Sequence, residues 1–400
     1  MRILQINNQK ETRQIMQEIG VDPYGIKIMA PKAVHLAIRL NTISNINANI
    51  IKQEMLSLGA DAAVTRGSLT GKTKTTDILL LGQLLQLKAL ALKLKLQPFG
   101  LKKLGEELIE SIKNYSNDNF ILPLGKHSLN LGQRTHIMGI INLTPDSFSN
   151  DGLYKNNSKQ HLALALAKAQ KMVAQGADII DLGGESSRPG AKEVSIKEEL
   201  LRTIPVIKLL AKKIKVPISI DTNKPEVAHA ALATGASLVN DICGLRDRRM
   251  IKVVAKHNAG VVIMHMQNRP SNMQKNIRYH SVVDEITTYL KNAIDTAQDG
   301  GINPNKIIID PGIGFGKTIT HNYEIIKHLS DFKILGKPIL IGVSRKSFIK
   351  NTLKSEETLS GSLAAAVGAA SRGANIIRVH DIQATRAALK ITNSINNAHD

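Results

Sequence analysis

His136-Ile-Met-Gly-Ile-Ile-Asn-Leu143, Ala177-Asp-Ile-Ile-Asp-Leu-Gly-Gly184 and Val216-Pro-Ile-Ser-Ile-Asp-Thr222 are short β-branched runs, each closing on polar or glycine residues. Between the first two, Leu162, Leu166, Ala169 and Val173 recur at the offsets of one helical face, and Gly176 offers a left-handed stop. A strand, a helix and a second strand in that order imply parallel strands joined by crossover helices. Working outward, the same unit recurs to the C terminus. Further strands are read at Ser237–Cys243, Gly260–Met266, Lys306–Gly312, Pro338–Ser344 and Asn375–Asp381. Helices are read near Ser195–Lys213, Lys224–Thr234, Asp247–His257, Ser281–Gln298, His321–Phe332, Leu359–Ser371 and Ile382–Ile395. Eight such pairs in about 265 residues match a (β/α)8 barrel. An open doubly wound sheet is the alternative fold.

The preceding chain reads differently. A helix near Ile43–Leu58, a short strand near Ala60–Thr65 and helices over Thr76–Leu96 and Leu101–Tyr115 describe a small α/β region. The domain reading is therefore an N-terminal α/β extension over residues 1–120, a linker over 121–134 and the barrel over 135–400, with Asn114–Gly132 read as a linker or the lead-in that closes the barrel floor.

Composition limits the partners. A formal charge of +20 would suit a nucleic-acid binder or an anionic substrate, or reflect a basic background. Lys and Arg are spread along the chain, aromatic residues make up 3% and Trp is absent, so a base-stacking surface is poorly supported. A small anionic substrate fits better, and no nucleic-acid partner is expected. The single cysteine, Cys243, lies in an apolar run and suits a reducing compartment. Met1–Lys10 lacks the apolar core of a secretory signal, and Lys88, Lys93 and Lys95 interrupt the most hydrophobic stretch, Ile78–Leu96. That stretch reads as an amphipathic or buried helix of a cytoplasmic protein without a membrane partner.

Two segments imitate a phosphate loop: Gly67-Ser-Leu-Thr-Gly-Lys-Thr73 and Gly312-Ile-Gly-Phe-Gly-Lys-Thr318. Each has three residues between the outer glycine and the Gly-Lys pair where that loop has four, so both read as glycine turns. The basic residues Arg66, Lys72 and Lys74 could meet an anion or RNA, but a solvated turn is the simpler reading.

Polar residues at the carboxyl ends of barrel strands face the site, and nearly every strand here ends in them. They are Asn142 with Thr144–Ser149, Glu185–Gly190, Asp221, Asn240 with Asp241, His265, Asp310, Ser344–Ser347, and Arg378 with His380 and Asp381. One Asp or Ser there is commonly a helix cap or turn residue. So many converging on one mouth point to a ligand. Arg345, Lys346, Arg378 and His380 come from the last two strands, where barrels commonly hold phosphate. Asp221, Asn240 and Asp310 lie across the middle strands and suit the donor-rich edge of a heterocycle. The two long polar loops after the first strands read as lids over a second substrate.

The segments MGIINLTPDSFSNDG, GGESSRPGA, SIDTNKPEVA, VNDICG, MHMQ, IDPGIGFGKT, GVSRKSFI and RVHD, in this order from about Thr135 to Ile395, resemble the dihydropteroate synthase family throughout. The resemblance implies a transferase of folate synthesis, condensing 6-hydroxymethyl-7,8-dihydropterin diphosphate with 4-aminobenzoate and releasing pyrophosphate. It implies Mg²⁺ held by Asn142, diphosphate bound by Arg378 and His380, and a pterin held by Asp221, Asn240, Ile242, Asp310 and Lys346 with Met264 packed against it. The aminobenzoate, or a sulfonamide in its place, would meet Phe148, Ser187, Arg188, Pro189, Lys346 and Ser347. Family analogy adds a homodimer. Two positions depart from the family pattern. Ser187 stands where Thr is usual, losing a methyl contact worth on the order of 1 kcal/mol, and Asn150-Asp151 displaces the first-loop carboxylate by one position. A pterin-dependent methyltransferase would need neither the two lids nor a diphosphate clamp, and a noncatalytic scaffold would not need all these positions.

Overall fold

Residues 1–6, 8–144, 159–186, 193–268 and 272–396 are described by the computed structural model. They fall into two compact units, Met1–Ser116 and Asn117–Asp400.

The first unit opens with helices α1 (Gln9–Glu18) and α2 (Pro23–Ala33), the latter capped by the Asp22 carboxylate on the Tyr24 and Gly25 amides. Then follow β1 (His35–Ser44), α3 (Asn45–Ser57), β2 (Asp61–Val64), the short α4 (Arg66–Thr70), β3 (Thr75–Gln83), α5 (Leu84–Leu94) and α6 (Leu101–Tyr115). The strands form an antiparallel sheet of order β1-β3-β2. This corrects the reading of Thr76–Leu96 as one helix. Its first half pairs on both sides, with Leu80 opposite Ile38 and Ala62, so Ile78 and Leu80 are buried while Leu79 and Leu81 are exposed. A leucine run carries no clear period of its own, and the sheet that receives it decides its conformation. Strand β1 and helices α1 and α2 were missed in the sequence, although the alternation of Leu36, Ile38 and Leu40 along the ten-residue β1 is a signal that could have found it. Gly105 lets α6 lie close on α5, since a Cβ there would sit 2.6 Å from the Ala91 carbonyl oxygen. The Gly67–Thr73 segment spans α4 and a turn at Gly71, whose φ is +73°.

The second unit begins with a hairpin, β4 (Ile121–Leu124) and β5 (His127–Asn130), within the segment read as linker or lead-in. Strands β6 (His136–Asn142), β7 (Ile179–Gly183), β8 (Ile218–Asp221), β9 (Leu238–Asp241), β10 (Gly260–Met264), β11 (Ile307–Asp310), β12 (Leu340–Gly342) and β13 (Ile376–Val379) follow. All pair in parallel in the order β11-β10-β9-β8-β7-β6-β13-β12, and a parallel bridge between Ile309 and Ile339 closes the ring. The fold is thus a (β/α)8 barrel. Its helices are α7 (Lys159–Ala174), α8 (Ile196–Lys213), α9 (Pro225–Thr234), α10 (Arg248–Lys256), α11 (Val282–Asp299), α12 (Ile319–Lys327), α13 (Ser347–Leu353), α14 (Leu359–Ala370) and α15 (Ile382–Asn396). The helix expected over His321–Phe332 starts earlier, where the Thr318 hydroxyl caps the His321 amide, and gives way to 3-10 turns over Leu329–Leu335.

Strand alternation sorts the interior into layers. Met138, Ile179, Leu238, Val262, Ile308, Leu340 and Ile376 form one buried apolar cluster with Leu122, Leu124 and Leu131 of the hairpin region. The hairpin therefore plugs the floor, and each leucine it buries contributes roughly 1.5–3 kcal/mol. Residues between those positions, such as Ile180, Val239, Val261, Ile309 and Ile377, belong to the outer core against the helices. Two residues beyond each floor position the side chains point inward again, one layer nearer the mouth. They are Ile140, Asp181, Asn240, Met264, Asp310 and Arg378, with Gly342 at the same level of β12.

Candidate active site

Above an apolar floor, this layer is polar. Asp221 of β8 lies beside Gly183 on one side and Asn240 on the other, and Asp310 lies beside Met264. Gly183 leaves the space between Asn142 and Asp221 open: a Cβ there would stand 3.7 Å from the Asn142 Oδ1 and 3.7 Å from the Asp221 Cβ.

Arg378 is the hub. Its Nε donates to the Asp181 Oδ2 at 2.6 Å and its Nη2 to the Asp221 Oδ2 at 2.7 Å, while Asn240 Nδ2 donates to the same Asp181 oxygen at 3.3 Å. Buried ions persist only when paired and hydrogen-bonded. Despite burial, the charges of Asp181 and Asp221 hold the guanidinium protonated more firmly than usual. Burial, with Asp181 and Glu199 adding, pushes Asp221 up to about 7 against the pull of Arg378. Burial likewise raises Asp310, whose carboxylate accepts the Gly312 amide at 2.7 Å. Asp181 Oδ1, Asn240 Oδ1 and Ser219 Oγ are buried atoms without hydrogen-bond partners among the described residues, and Ser219 is the register partner of Asp181. Each such atom costs roughly 1–3 kcal/mol if nothing meets it. Three together at this depth describe a cradle for a ligand rich in hydrogen-bond donors.

Lys346 lies over one side of this cradle, its Nζ 4.2 Å from the centroid of the Phe315 ring. Burial, helped by Arg378, lowers its ammonium to about 8. Phe315 in turn belongs to an apolar cluster with Ile242, Met264, Met266 and Met273. His380 follows the neighbouring strand β13. The Ser344 hydroxyl accepts the His380 backbone N–H at 3.3 Å and stands 3.1 Å from its Nδ1. With that hydroxyl proton given to Nδ1, the ring carries its own proton on Nε2. Burial, with Arg345 and Arg378, lowers His380 to about 4, so it is a neutral donor at pH 7.

Several strand-end residues do structural work instead. Asp241 accepts the Cys243 and Leu245 amides at 2.8 and 2.9 Å, closing its own turn. Arg345, with φ at +57°, pairs through Nη2 with Asp381 at 2.5 Å, outside the inward layer. Glu185 accepts the Val194 amide at 2.9 Å and Lys224 at 2.7 Å, and Lys224 also reaches the buried Glu199 at 2.6 Å. Burial raises the Cys243 thiol, which accepts from Asn223, so it fits a packing role. Ser347 is exposed at the first position of α13. Phe148, Asp151, Ser187, Arg188 and Pro189 lie outside the described residues.

Asp181 and Phe315 extend the site beyond the expected residues, and Ser344, expected at its strand end, serves by holding His380. Asp181 could have been found from the alternation within β7, since it follows the floor residue Ile179 by two. Phe315 sits in the glycine segment that imitates a phosphate loop, and nothing local marks its ring as a wall.

Among the described residues no three His, Cys, Asp or Glu side chains form a metal cage. The Asn142 amide oxygen at the mouth nevertheless fits magnesium, which keeps several waters and is commonly held by one or two protein oxygens plus substrate phosphates. No helix among the described residues is long and apolar enough to cross a membrane.

Residues 138–380 match the family model described as "Pterin binding enzyme". The Synechocystis dihydropteroate synthase is 42% identical over 278 residues, which cover 68% of this chain and 94% of that protein. A Halobacterium salinarum protein named a probable bifunctional folylpolyglutamate synthase/dihydropteroate synthase is 35% identical over 396 residues, 99% of this chain and 47% of its own length. The N-terminal unit thus has a counterpart there. The solved structure of the Xanthomonas albilineans dihydropteroate synthase with 4-aminobenzoic acid is 39% identical, covers 70% of this chain and 100% of that one, and superposes with a TM-score of 0.65.

Proposed function

The chain belongs to the pterin-binding enzyme family, among its dihydropteroate synthases, and from that premise we propose how its barrel mouth performs the reaction. It is a transferase that joins the methylene carbon of 6-hydroxymethyl-7,8-dihydropterin diphosphate to the nitrogen of 4-aminobenzoate, releasing pyrophosphate and dihydropteroate. The observation that carries the assignment of roles is the inward layer, in which Asp181, Asp221, Asn240 and Asp310 surround Arg378 with acceptors left unmet.

The pterin presents an amino group and ring N–H groups to those acceptors. Asp221, Asn240 and Asp310 hold its edge, while Ile242, Met264 and Phe315 cover its faces. Arg378 spends Nε and Nη2 on Asp181 and Asp221, and its Nη1 serves the diphosphate. His380 adds the Nε2–H that Ser344 fixes, and Lys346 supplies a second cation. These donors lie where negative charge grows as the carbon–oxygen bond breaks, the arrangement that lowers a barrier most. The electron-rich dihydropterin shares the positive charge left on the methylene. The arylamine attacks with its own lone pair and then loses a proton, so a strong general base is not required.

Asn142 is the protein oxygen that would hold magnesium beside the diphosphate. When bound, the ion supplies further charge neutralisation for the leaving group. The aminobenzoate belongs to the two loops carrying Phe148, Ser187, Arg188 and Pro189, with Lys346 and Ser347. Residues 135–400 constitute the enzyme proper and 1–120 an accessory unit with no chemistry assigned. By family analogy the reading includes a homodimer, and the sequence supports a cytoplasmic location.

Incorporation of labelled 4-aminobenzoate with stoichiometric pyrophosphate release by the full chain tests the reading. Chelation by EDTA should abolish turnover and added Mg²⁺ restore it. Absence of pyrophosphate release with both substrates and magnesium present refutes the assignment.

A further inference from the structure

Lys317, from the glycine segment that imitates a phosphate loop, has no part in the chemistry above, yet it is a buried lysine beside the pterin cradle. Its side chain is 3% exposed. The Nζ stands 3.0 Å from the His265 Nδ1, 2.9 Å from the Phe315 carbonyl oxygen and 3.4 Å from the His265 carbonyl oxygen. An ammonium has three protons to give, and all three partners accept. Burial and the cations Lys317 and Arg246 keep the His265 ring neutral, so Nδ1 is free to receive one. Burial, with Lys346 adding, lowers the Lys317 ammonium to about 7 against the pull of Asp310.

These bonds cross between two elements. His265 follows β10, and Phe315 lies in the loop after β11. The loop is pressed onto the β10 end: Gly312 has φ +75°, and a Cβ there would sit 1.9 Å from the His265 carbonyl oxygen. Three successive loop carbonyls are each held by a side chain. Gln274 donates to Gly314 at 2.8 Å, Lys317 to Phe315, and the Tyr279 hydroxyl to Gly316 at 3.1 Å. With its N–H given to the Gly312 carbonyl at 3.1 Å, Phe315 is tied at both ends of its peptide unit. Its ring is thereby set beneath the Lys346 Nζ.

We propose that Lys317 is a positioning residue for the pterin subsite, acting through the Phe315 backbone to fix the aromatic wall on which the heterocycle lies. A methionine there would fill the same volume, and buried cations are expensive to keep unless their hydrogen bonds matter. What methionine lacks is the directed tie on the carbonyl, and so on the ring. The inference rests on the assignment of this layer to the pterin.

The test uses the full-length protein, with 6-hydroxymethylpterin as an equilibrium-binding probe alongside steady-state kinetics. In Lys317→Met, pterin affinity should fall about tenfold or more and the KM for the pterin diphosphate rise in step, as a displaced binding wall predicts. The KM for 4-aminobenzoate and kcat at saturation should stay within about threefold. Combined with Phe315→Leu, Lys317→Met should add no further loss, because both changes remove one wall. If Lys317→Met fails to fold by circular dichroism, Lys317→Gln, which keeps an N–H donor but not the reach to both partners, carries the same comparison. Unchanged pterin affinity in a folded variant overturns the inference, as does a double-variant loss equal to the product of the two single losses. Failure of the wild-type protein to bind the probe overturns the pterin assignment itself, and this inference with it.

Discussion

Replacing Arg378 by methionine removes the counterion of two carboxylates at once. Asp181 is fully buried, and the side chains of Asp221 and Arg378 are 11% and 17% exposed, so water cannot replace the lost partner. Breaking a buried pair by deleting one member costs about 3–5 kcal/mol. Protonation of Asp221 limits this loss. In the wild type its folded value is about 7, above the ordinary carboxylate value. The folded state therefore binds a proton that the unfolded state releases, and stability falls as pH rises from the unfolded value near 4 towards 7. Without Arg378, while Asp181 remains, the folded value moves higher still. The decline then continues past neutrality, at roughly 1.4 kcal/mol per pH unit. Thermal denaturation from pH 5.5 to 8.5 reads this directly: wild type should level off near pH 7, and Arg378→Met should keep losing stability. Turnover should drop about 10²–10³-fold, the effect of removing one transition-state donor. Equal pH slopes above 7 in the two proteins, or turnover within about threefold of wild type, would refute the counterion reasoning.

Lys346 carries its charge below about 8 and loses it as pH rises through that value, so the KM for the pterin diphosphate should climb above pH 8. In Lys346→Met that climb should vanish and the KM be high throughout, as measured by pyrophosphate release. Gly312→Ala places a methyl 1.9 Å from the His265 carbonyl oxygen at a backbone φ of +75°. That loop cannot stay where it is, and pterin binding should be lost while the far-UV circular dichroism is kept. Leu124→Ala opens the barrel floor beneath the site, where Leu124 is fully buried. It should cost about 2–5 kcal/mol in denaturant unfolding and leave the KM values at 25 °C unchanged.

The barrel was legible because its evidence is local and repeated. Each β-branched run such as Lys306–Gly312 is bounded by a helical stretch of fixed period, and eight repeats match a barrel, whose ring the Ile309–Ile339 bridge closes against the open-sheet alternative. The strand-end polar residues were legible for the same reason, and the motif order named the chemistry they serve. Sequence did not say which of those residues face inward. Adjacent strand-end residues look alike until the register is known: Asn240 points into the cradle while Asp241 closes a turn, and only the pairing of β9 with β8 and β10 fixes that parity. The N-terminal sheet shows the same limit, since Thr75–Gln83 is a strand only because β1 and β2 flank it. Sequence carries periodicity and motif. Long-range pairing decided the rest: the Asp181–Arg378–Asp221 bridge joins residues 197 and 157 positions apart, and Phe315 becomes a wall only when Lys317 and His265 hold its loop.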